Sequence, residues 1–184
     1  YGAEIIPCEP TLAARESTLE RVVAETGAHF VHPYDDPRVI AGQGTAVLEL
    51  LEDAGPLDAV ITPVGGGGLL SGTAIAVDGV APDCPVYAAE PEGADDAARS
   101  LAAGELIASV QPDTICDGLL TSLSPRTFAA IQAHVAGIVT VSDDAVRAAM
   151  RLVFERMKLV VEPSACVGLA ALLTRGDAVP GERV

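Results

Sequence analysis

The chain has few basic residues and no long hydrophobic run. Its 184 residues include 11 Lys and Arg against 26 Asp and Glu, which gives a formal net charge of −15 at pH 7. Nucleic acids and anionic membrane surfaces are polyanions that attract basic patches, so this charge argues against both as partners. The apolar runs are broken by glycine, proline or charge well before the roughly 20 residues that span a bilayer, so no membrane segment is expected.

Closely spaced cysteine pairs are also missing. The four cysteines, Cys8, Cys84, Cys116 and Cys166, include no C-x-x-C pair, so a zinc site is not expected. Each lies among apolar or small residues, and we expect reduced core thiols, which are typical of a cytoplasmic protein. Hydrophobic residues make up 49% of the chain and charged residues 20%, which is enough for one substantial core.

A run of four glycines is the most informative feature that is present. Gly65, Gly66, Gly67 and Gly68 follow an apolar segment, residues 58–63, and open onto a sequence compatible with a helix. Residues without Cβ allow backbone N–H groups to point into one concavity beside the positive end of a helix. This arrangement, which we call the glycine loop (residues 65–68), suits a phosphate group.

Two common phosphate motifs do not fit the glycine loop. The dinucleotide fingerprint needs glycines at relative positions one, three and six, but Leu70 or Ser71 occupies the last position. The triphosphate loop needs a lysine where Thr73 stands. A loop without a cation suits a phosphate monoester, as in a sugar phosphate or pyridoxal phosphate, and the alternative is a glycine-rich turn without a ligand.

The order of strand and helix patterns predicts the fold class. Strand patterns occur at residues 2–7, 29–32, 58–63, 86–89 and 138–141, and helix patterns at residues 12–26, 39–54, 145–158, 165–173 and directly after the glycine loop. Such alternation predicts an α/β fold with an open, twisted, mostly parallel sheet and helices on both faces. Residues 104–125 are less regular, and loops of this kind usually carry the site in α/β folds.

Five further motifs accompany the glycine loop in a fixed order. They are VHPYDDP at residues 31–37, IAGQGT at 40–45, AAEP at 88–91, DG at 117–118, and ERMK with EPSA between 155 and 165. Together they resemble the pyridoxal-phosphate enzymes of fold type II, in the branch of serine racemase and threonine or serine dehydratase. The resemblance covers essentially the whole chain. It implies that residues 1–33 end a small domain and that residues 34–184 form most of the large, cofactor-phosphate-binding domain.

The resemblance also implies which residues bind cofactor and substrate. The amides of Gly65, Gly66, Gly67, Gly68 and Leu69 correspond to the loop that holds the phosphate of pyridoxal 5'-phosphate. Tyr34 corresponds to a position beside the pyridoxal ring. Arg15 and Thr121 correspond to positions near the substrate carboxylate.

Two acidic residues introduce a second candidate site. Glu90 and Asp96 are six residues apart, with the Ala94 carbonyl between them, and Mg²⁺ or Ca²⁺ prefers oxygen ligands of this kind. The spacing alone favours a simpler interpretation, in which acids complement the start of a helix. The resemblance implies a structural divalent cation held by Glu90, the Ala94 carbonyl and Asp96.

The catalytic lysine of the family is not identified in this chain. These enzymes use a lysine that forms a Schiff base with the cofactor. The single lysine, Lys158, lies in the sequence RMKL and lacks the Ser-x-Lys context of that residue. Because the chain also starts at Tyr1 rather than Met, we expect an interior section of a longer enzyme, with the Schiff-base lysine upstream and no catalytic residue within these residues.

The function implied by the resemblance is a lyase or isomerase of amino-acid metabolism. It is a dehydratase (ammonia-lyase) or a racemase that acts on L-serine- or L-threonine-type hydroxy-amino acids, as a homodimer when full length. Two alternatives stay open on the sequence. One is a β-replacement enzyme of the cysteine synthase type, and the other is a non-catalytic phosphate-binding module.

Overall fold

The computed structural model describes residues 2–184, apart from the side chains of Leu12 and Ala13. The chain divides into two compact units, one ending at His32 and the other covering Pro33–Val184. The assignment of these parts to a small and a large domain remains a prediction.

The first unit contains one helix, α1, at Leu12–Thr26. The Thr11 hydroxyl accepts the Ala14 N–H at 3.2 Å, which satisfies a donor that the first turn leaves open. The helix ends at Gly27, whose φ of 69° is left-handed and whose N–H bonds to the Val23 carbonyl. These bounds confirm the predicted helix at residues 12–26.

The two strands predicted in the first unit are wrong. Residues 2–7 and 29–32 have no strand structure. A strand is stable when its backbone groups bond to a neighbouring strand, and among residues 2–184 no strand pairs with either segment. The local apolar pattern therefore could not produce a strand by itself.

The second unit is built on a three-stranded sheet. The strands are β1 at Val60–Pro63, β2 at Val86–Pro91 and β3 at Val135–Val141. They lie in the order β1-β2-β3, and both neighbouring pairs are parallel. The predicted α/β class with a parallel sheet is confirmed.

Helices connect the strands and cover the sheet. They are α2 at Pro37–Ala54, α3 at Gly68–Val80, α4 at Asp96–Ala103, α5 at Pro125–His134, α6 at Asp143–Leu152 and α7 at Val167–Arg175. Short helical turns lie at Glu92–Ala94, Asp117–Leu119, Pro163–Cys166 and Gly176–Ala178, and α6 continues as a π-helical turn at Val153–Met157. Helix α3 follows β1, α4 and α5 precede β3, and α2 packs against α3.

The core consists of two apolar clusters, one on each face of the sheet. Successive residues of β2 point to opposite faces, so Ala88 joins the cluster of Leu70 and Ile131 from α3 and α5. Its neighbour Ala89 joins the cluster of Val146 and Val167 from α6 and α7. This arrangement confirms the prediction of helices on both faces.

Three of the four cysteines are buried, and one is exposed. Cys84, Cys116 and Cys166 are buried and free, and burial raises the pKa of each thiol. Cys8 is free but exposed, because it lies in the irregular segment before α1, so its prediction as a core thiol is wrong. In the described part of the chain, no helix has the length and apolar character needed to cross a membrane.

Candidate active site

The glycine loop lies at the carboxyl end of the central sheet. The Val64 N–H bonds to the Ala89 carbonyl at 3.0 Å, which ties the start of the loop to the end of β2. Gly67 has a φ of +86°, a left-handed conformation that favours glycine, and α3 begins at the next residue. Ligands of open α/β sheets bind at this end of the strands, beside helix N-termini.

The loop is closely packed against residues from three other parts of the chain. A Cβ on Gly66 would overlap the ring of Tyr34. A Cβ on Gly65 would lie 3.0 Å from the Leu119 Cα, and one on Gly67 would lie 2.8 Å from the Thr127 Cβ. The neighbours therefore leave no room for side chains at these positions. This close packing argues against a loose glycine-rich linker.

The loop also borders a cavity of about 470 Å³. Its lining residues are Pro33, Tyr34, Gln43, Pro63, Gly65, Gly66, Gly67, Gly68, Leu69, Gly118, Leu119, Thr121, Glu162, Ser164 and Ala165. The volume is within the usual range for small-molecule sites, and no Lys, Arg or His belongs to this lining. The anion-binding donors that this lining offers are thus backbone N–H groups and neutral side chains such as Thr121.

Tyr34 reaches the cavity from the start of the second unit. It packs on the glycine loop through Gly66 and Gly68, and its position is fixed by the residues that follow it. The Asp35 carboxylate is 3.0 Å from the Arg126 Nε on α5. Asp36 caps α2 by accepting the Arg38 N–H at 2.8 Å, and the hydrogen bonds from Arg38 lower the pKa of Asp36.

The opposite wall of the cavity comes from the irregular region between α4 and α5. The helical turn Asp117–Leu119 places Leu119 against Gly65, and Thr121 lies in the same cavity lining. The Gly118 N–H donates to the Ser164 hydroxyl oxygen at 3.1 Å, which joins this wall to the segment before α7. The structure therefore brings Thr121 and the glycine loop together.

Sequence reasoning did not select four polar or small residues that line the cavity, namely Gln43, Gly118, Glu162 and Ser164. Each belongs to one of the motifs that carry the resemblance, so the motifs were the available signal. Arg15, by contrast, is exposed on α1 in the first unit. Its role in substrate binding stays a prediction.

The two predicted metal-binding carboxylates lie at the junction of β2 and α4. Glu90 and Asp96 are each only 1% exposed. The two Glu90 carboxylate oxygens accept the N–H groups of Ala97 and Ala98 at 3.0 and 2.8 Å, which is the helix-start role that spacing favoured. Burial nevertheless raises the pKa of Glu90 to about 8.

Asp96 has an unusual environment at the first residue of α4. Its Oδ2 is buried and has no hydrogen-bond partner among the described residues. Burial also raises the pKa of Asp96. Ala94, in the turn before the helix, is buried as well. Within residues 2–184, no group of three or more His, Cys, Asp and Glu side chains is arranged to hold a metal ion.

Known proteins match this chain over most or all of its length. A family model described as "Pyridoxal-phosphate dependent enzyme" matches residues 1–184. The beta-hydroxyaspartate dehydratase of Paracoccus denitrificans (strain Pd 1222) is 50% identical over 184 residues, which are 100% of this chain and 58% of that protein. The serine racemase of Dictyostelium discoideum is 49% identical over 175 residues, which are 94% of this chain and 54% of that protein.

A solved structure is similar over nearly the whole chain. The crystal structure of a T.th. threonine deaminase has a TM-score of 0.94 and 48% identity, and the match covers 97% of this chain and 60% of that one. The chain thus spans a little over half the length of the curated relatives that it matches.

Proposed function

Because the chain belongs to the family of pyridoxal-phosphate dependent enzymes, we propose that the protein is a dehydratase or racemase that acts on small hydroxy-amino acids. The observation that carries this proposal is the glycine loop, which is closely packed by its neighbours and borders a cavity of about 470 Å³. The activities for which the relatives are named, dehydration of hydroxyaspartate, racemisation of serine and deamination of threonine, support the reaction class.

The residues of the loop fit the phosphate of the cofactor. The N–H groups of residues 65–68 and of Leu69 lie at the N-terminus of α3, where the helix dipole attracts an anion. Tyr34 packs on the loop, lines the cavity and would lie beside the cofactor ring. When bound, pyridoxal phosphate supplies an electron sink for the substrate carbanion.

Substrate binding is proposed for two residues. The Thr121 hydroxyl lines the cavity and donates a hydrogen bond to the substrate carboxylate. Arg15, in the first unit, is proposed from the family resemblance alone, and its planar guanidinium provides two parallel donors for a carboxylate.

A structural Mg²⁺ or Ca²⁺ is a further part of the proposal. Asp96 Oδ2 is a buried acceptor with no hydrogen-bond partner in the described part of the chain, and a cation would satisfy it. Glu90 and the Ala94 carbonyl complete the proposed set of protein ligands. The cation would offset the cost of burying two carboxylates beside each other.

The proposal extends to the context of the enzyme. We place it in the cytoplasm, where thiols stay reduced, as a homodimer. The small amino-acid substrate is its partner, while the net charge of −15 disfavours nucleic acid and anionic membranes.

A spectroscopic assay of the full-length protein tests the proposal. Adding pyridoxal phosphate to the apoprotein should produce the visible absorption band of a lysine Schiff base, and L-serine or L-threonine should shift this band. Release of a 2-oxo acid and ammonia would identify a dehydratase, while formation of the D-amino acid would identify a racemase. Absence of the band at saturating cofactor would contradict the proposed function.

A further inference from the structure

One carboxylate outside the cavity makes two hydrogen bonds to the segment just before the cavity-lining residues Gly118 and Leu119. Asp143 is the first residue of α6, and its Oδ1 accepts the Thr114 hydroxyl at 2.5 Å. Its Oδ2 accepts the Ile115 N–H at 3.0 Å. These contacts join two parts of the chain that are 28 and 29 residues apart.

The bonds continue from Thr114 towards the cavity. The Thr114 Oγ1 accepts the Cys116 N–H at 3.2 Å. The Cys116 carbonyl in turn accepts the Leu119 N–H at 2.9 Å, which closes the helical turn Asp117–Leu119. Leu119 is the residue that packs against Gly65 in the glycine loop. Hydrogen bonds therefore connect Asp143 to the turn that contains Leu119, and Leu119 continues the connection to the loop by packing.

A purely local role does not account for Asp143. The N-terminus of α6 is already capped by Ser142, whose hydroxyl oxygen accepts the Ala145 N–H at 3.3 Å. Asp144 also provides a first-turn acid, with a side chain that is 93% exposed. The Asp143 side chain is 27% exposed and its Oδ2 lies 4.0 Å from the Arg147 guanidinium, but the hydrogen bonds that its two oxygens accept come from Thr114 and Ile115, outside the helix.

We infer that Asp143 is a positioning residue, which holds residues 114–119 so that the second wall of the cavity faces the glycine loop. Hydrogen bonds to an ionised carboxylate are stronger than those between neutral groups, so one side chain can fix this segment. The inference rests on the proposed function, since the ligand whose binding it supports is pyridoxal phosphate. Asp143 does not line the cavity and acts through Leu119 and its neighbours.

The test uses the full-length protein and titrates the apoprotein with pyridoxal phosphate, followed by absorbance. Asp143→Asn should weaken cofactor binding about tenfold, because it removes the charge that strengthens both hydrogen bonds and leaves one acceptor oxygen in place of two. Asp144→Asn is the matched control on the same turn of α6, and its dissociation constant should stay within about twofold of the wild type. Equal dissociation constants for the two variants would overturn the inference.

A third variant distinguishes a general loss of stability from a loss of positioning at the cavity. Ile131→Val shortens a side chain that is fully buried in the other core cluster. It should lower Tm while leaving the dissociation constant of the cofactor unchanged. If it weakened binding as much as Asp143→Asn does, a specific role for Asp143 would be rejected.

Amide hydrogen exchange gives a readout that does not depend on cofactor. Asp143→Asn should speed exchange at Ile115 and Cys116 in the apoprotein, and Asp144→Asn should not. If the wild type bound no pyridoxal phosphate, the proposed function would fail, and the exchange data would still decide whether Asp143 orders this segment. Unchanged exchange at both amides would overturn the inference.

Discussion

At the scale of single residues, the glycine loop is defined by what surrounds it. Glycines are needed in this loop for two reasons. Backbone N–H groups must come close to an anion, and the Tyr34 ring must pack directly on the loop. The overlap between that ring and a Cβ on Gly66 shows that the second requirement is steric. A glycine in this loop is therefore sensitive to substitution for reasons of packing as well as of ligand binding.

Replacing Gly66 by alanine tests this packing. Gly66→Ala forces the Tyr34 ring to move, and overpacking of this kind costs about 1–3 kcal/mol in the free energy of unfolding. The cofactor absorption band should also be lost at concentrations that saturate the wild type. The matched control is Gly42→Ala in α2, where a Cβ meets no atom within 4 Å. It should stabilise the protein by about 0.5–1 kcal/mol. An unchanged band in Gly66→Ala would contradict the account.

At the scale of elements, the start of α4 combines two roles of acidic residues. Glu90 satisfies the first N–H groups of the helix, as its position at the end of β2 allows. Asp96 has a buried oxygen for which the described residues provide no hydrogen-bond donor. The helix start explains the position of the Glu90 carboxylate. It does not explain why Asp96 Oδ2 is buried without a hydrogen-bond partner among the described residues, and for this reason we propose a cation there.

Thermal melts test the cation. Mg²⁺ or Ca²⁺ added after EDTA should raise the Tm of the full-length wild type, because a ligand that binds only the folded state stabilises it. Asp96→Asn should abolish this increase. Asp95→Asn is the control, since Asp95 is an exposed neighbour paired with Arg99, and it should keep the increase. A wild-type Tm that is the same in EDTA and in excess cation would reject the site.

At the scale of the whole molecule, contacts between distant segments hold the end of the described chain against the sheet. The Asp58 Oδ2, just before β1, accepts the N–H groups of Glu182 and Arg183 at 2.8 and 2.9 Å. The Asp58 N–H donates to the Arg183 carbonyl at 2.9 Å. These bonds join residues up to 125 positions apart.

This contact predicts a pH dependence of stability. The N–H groups of Arg183 and Glu182 lower the pKa of Asp58 below its usual value of 3.8. A carboxyl with a lowered pKa stabilises the folded state above the unfolded pKa, and the effect is lost as the pH falls through the folded pKa. Asp58→Asn should therefore lower Tm by a few degrees at pH 7, and this difference should shrink below about pH 4.

The control for this prediction is Glu182, an acidic residue that takes part in the same contact through its backbone N–H. Glu182→Gln keeps the N–H donor and removes the side-chain charge, so its Tm should follow that of the wild type as the pH is lowered. A constant Tm difference between wild type and Asp58→Asn from pH 7 to pH 3 would contradict the account.

Some helices and strands could be predicted from the sequence and others could not, and the reason is physical. Helix α1 was predicted with its bounds because its apolar periodicity and its terminal glycine act within a few residues. The strands at residues 2–7 and 29–32 were predicted wrongly because strand formation depends on a partner, which a local pattern does not contain. The segments that did become β1, β2 and β3 are those with parallel neighbours.

The sequence by itself determined the class of the fold, the glycine loop and the family motifs, since these depend on local spacing and on residue type. Only the tertiary structure decided that Gln43, Glu162 and Ser164 line the same cavity, and that Asp143 bonds to Thr114. It also decided that one oxygen of Asp96 is buried without a donor among the described residues. These facts depend on which distant segments pack together, and burial and hydrogen bonding between such segments are properties of the folded chain.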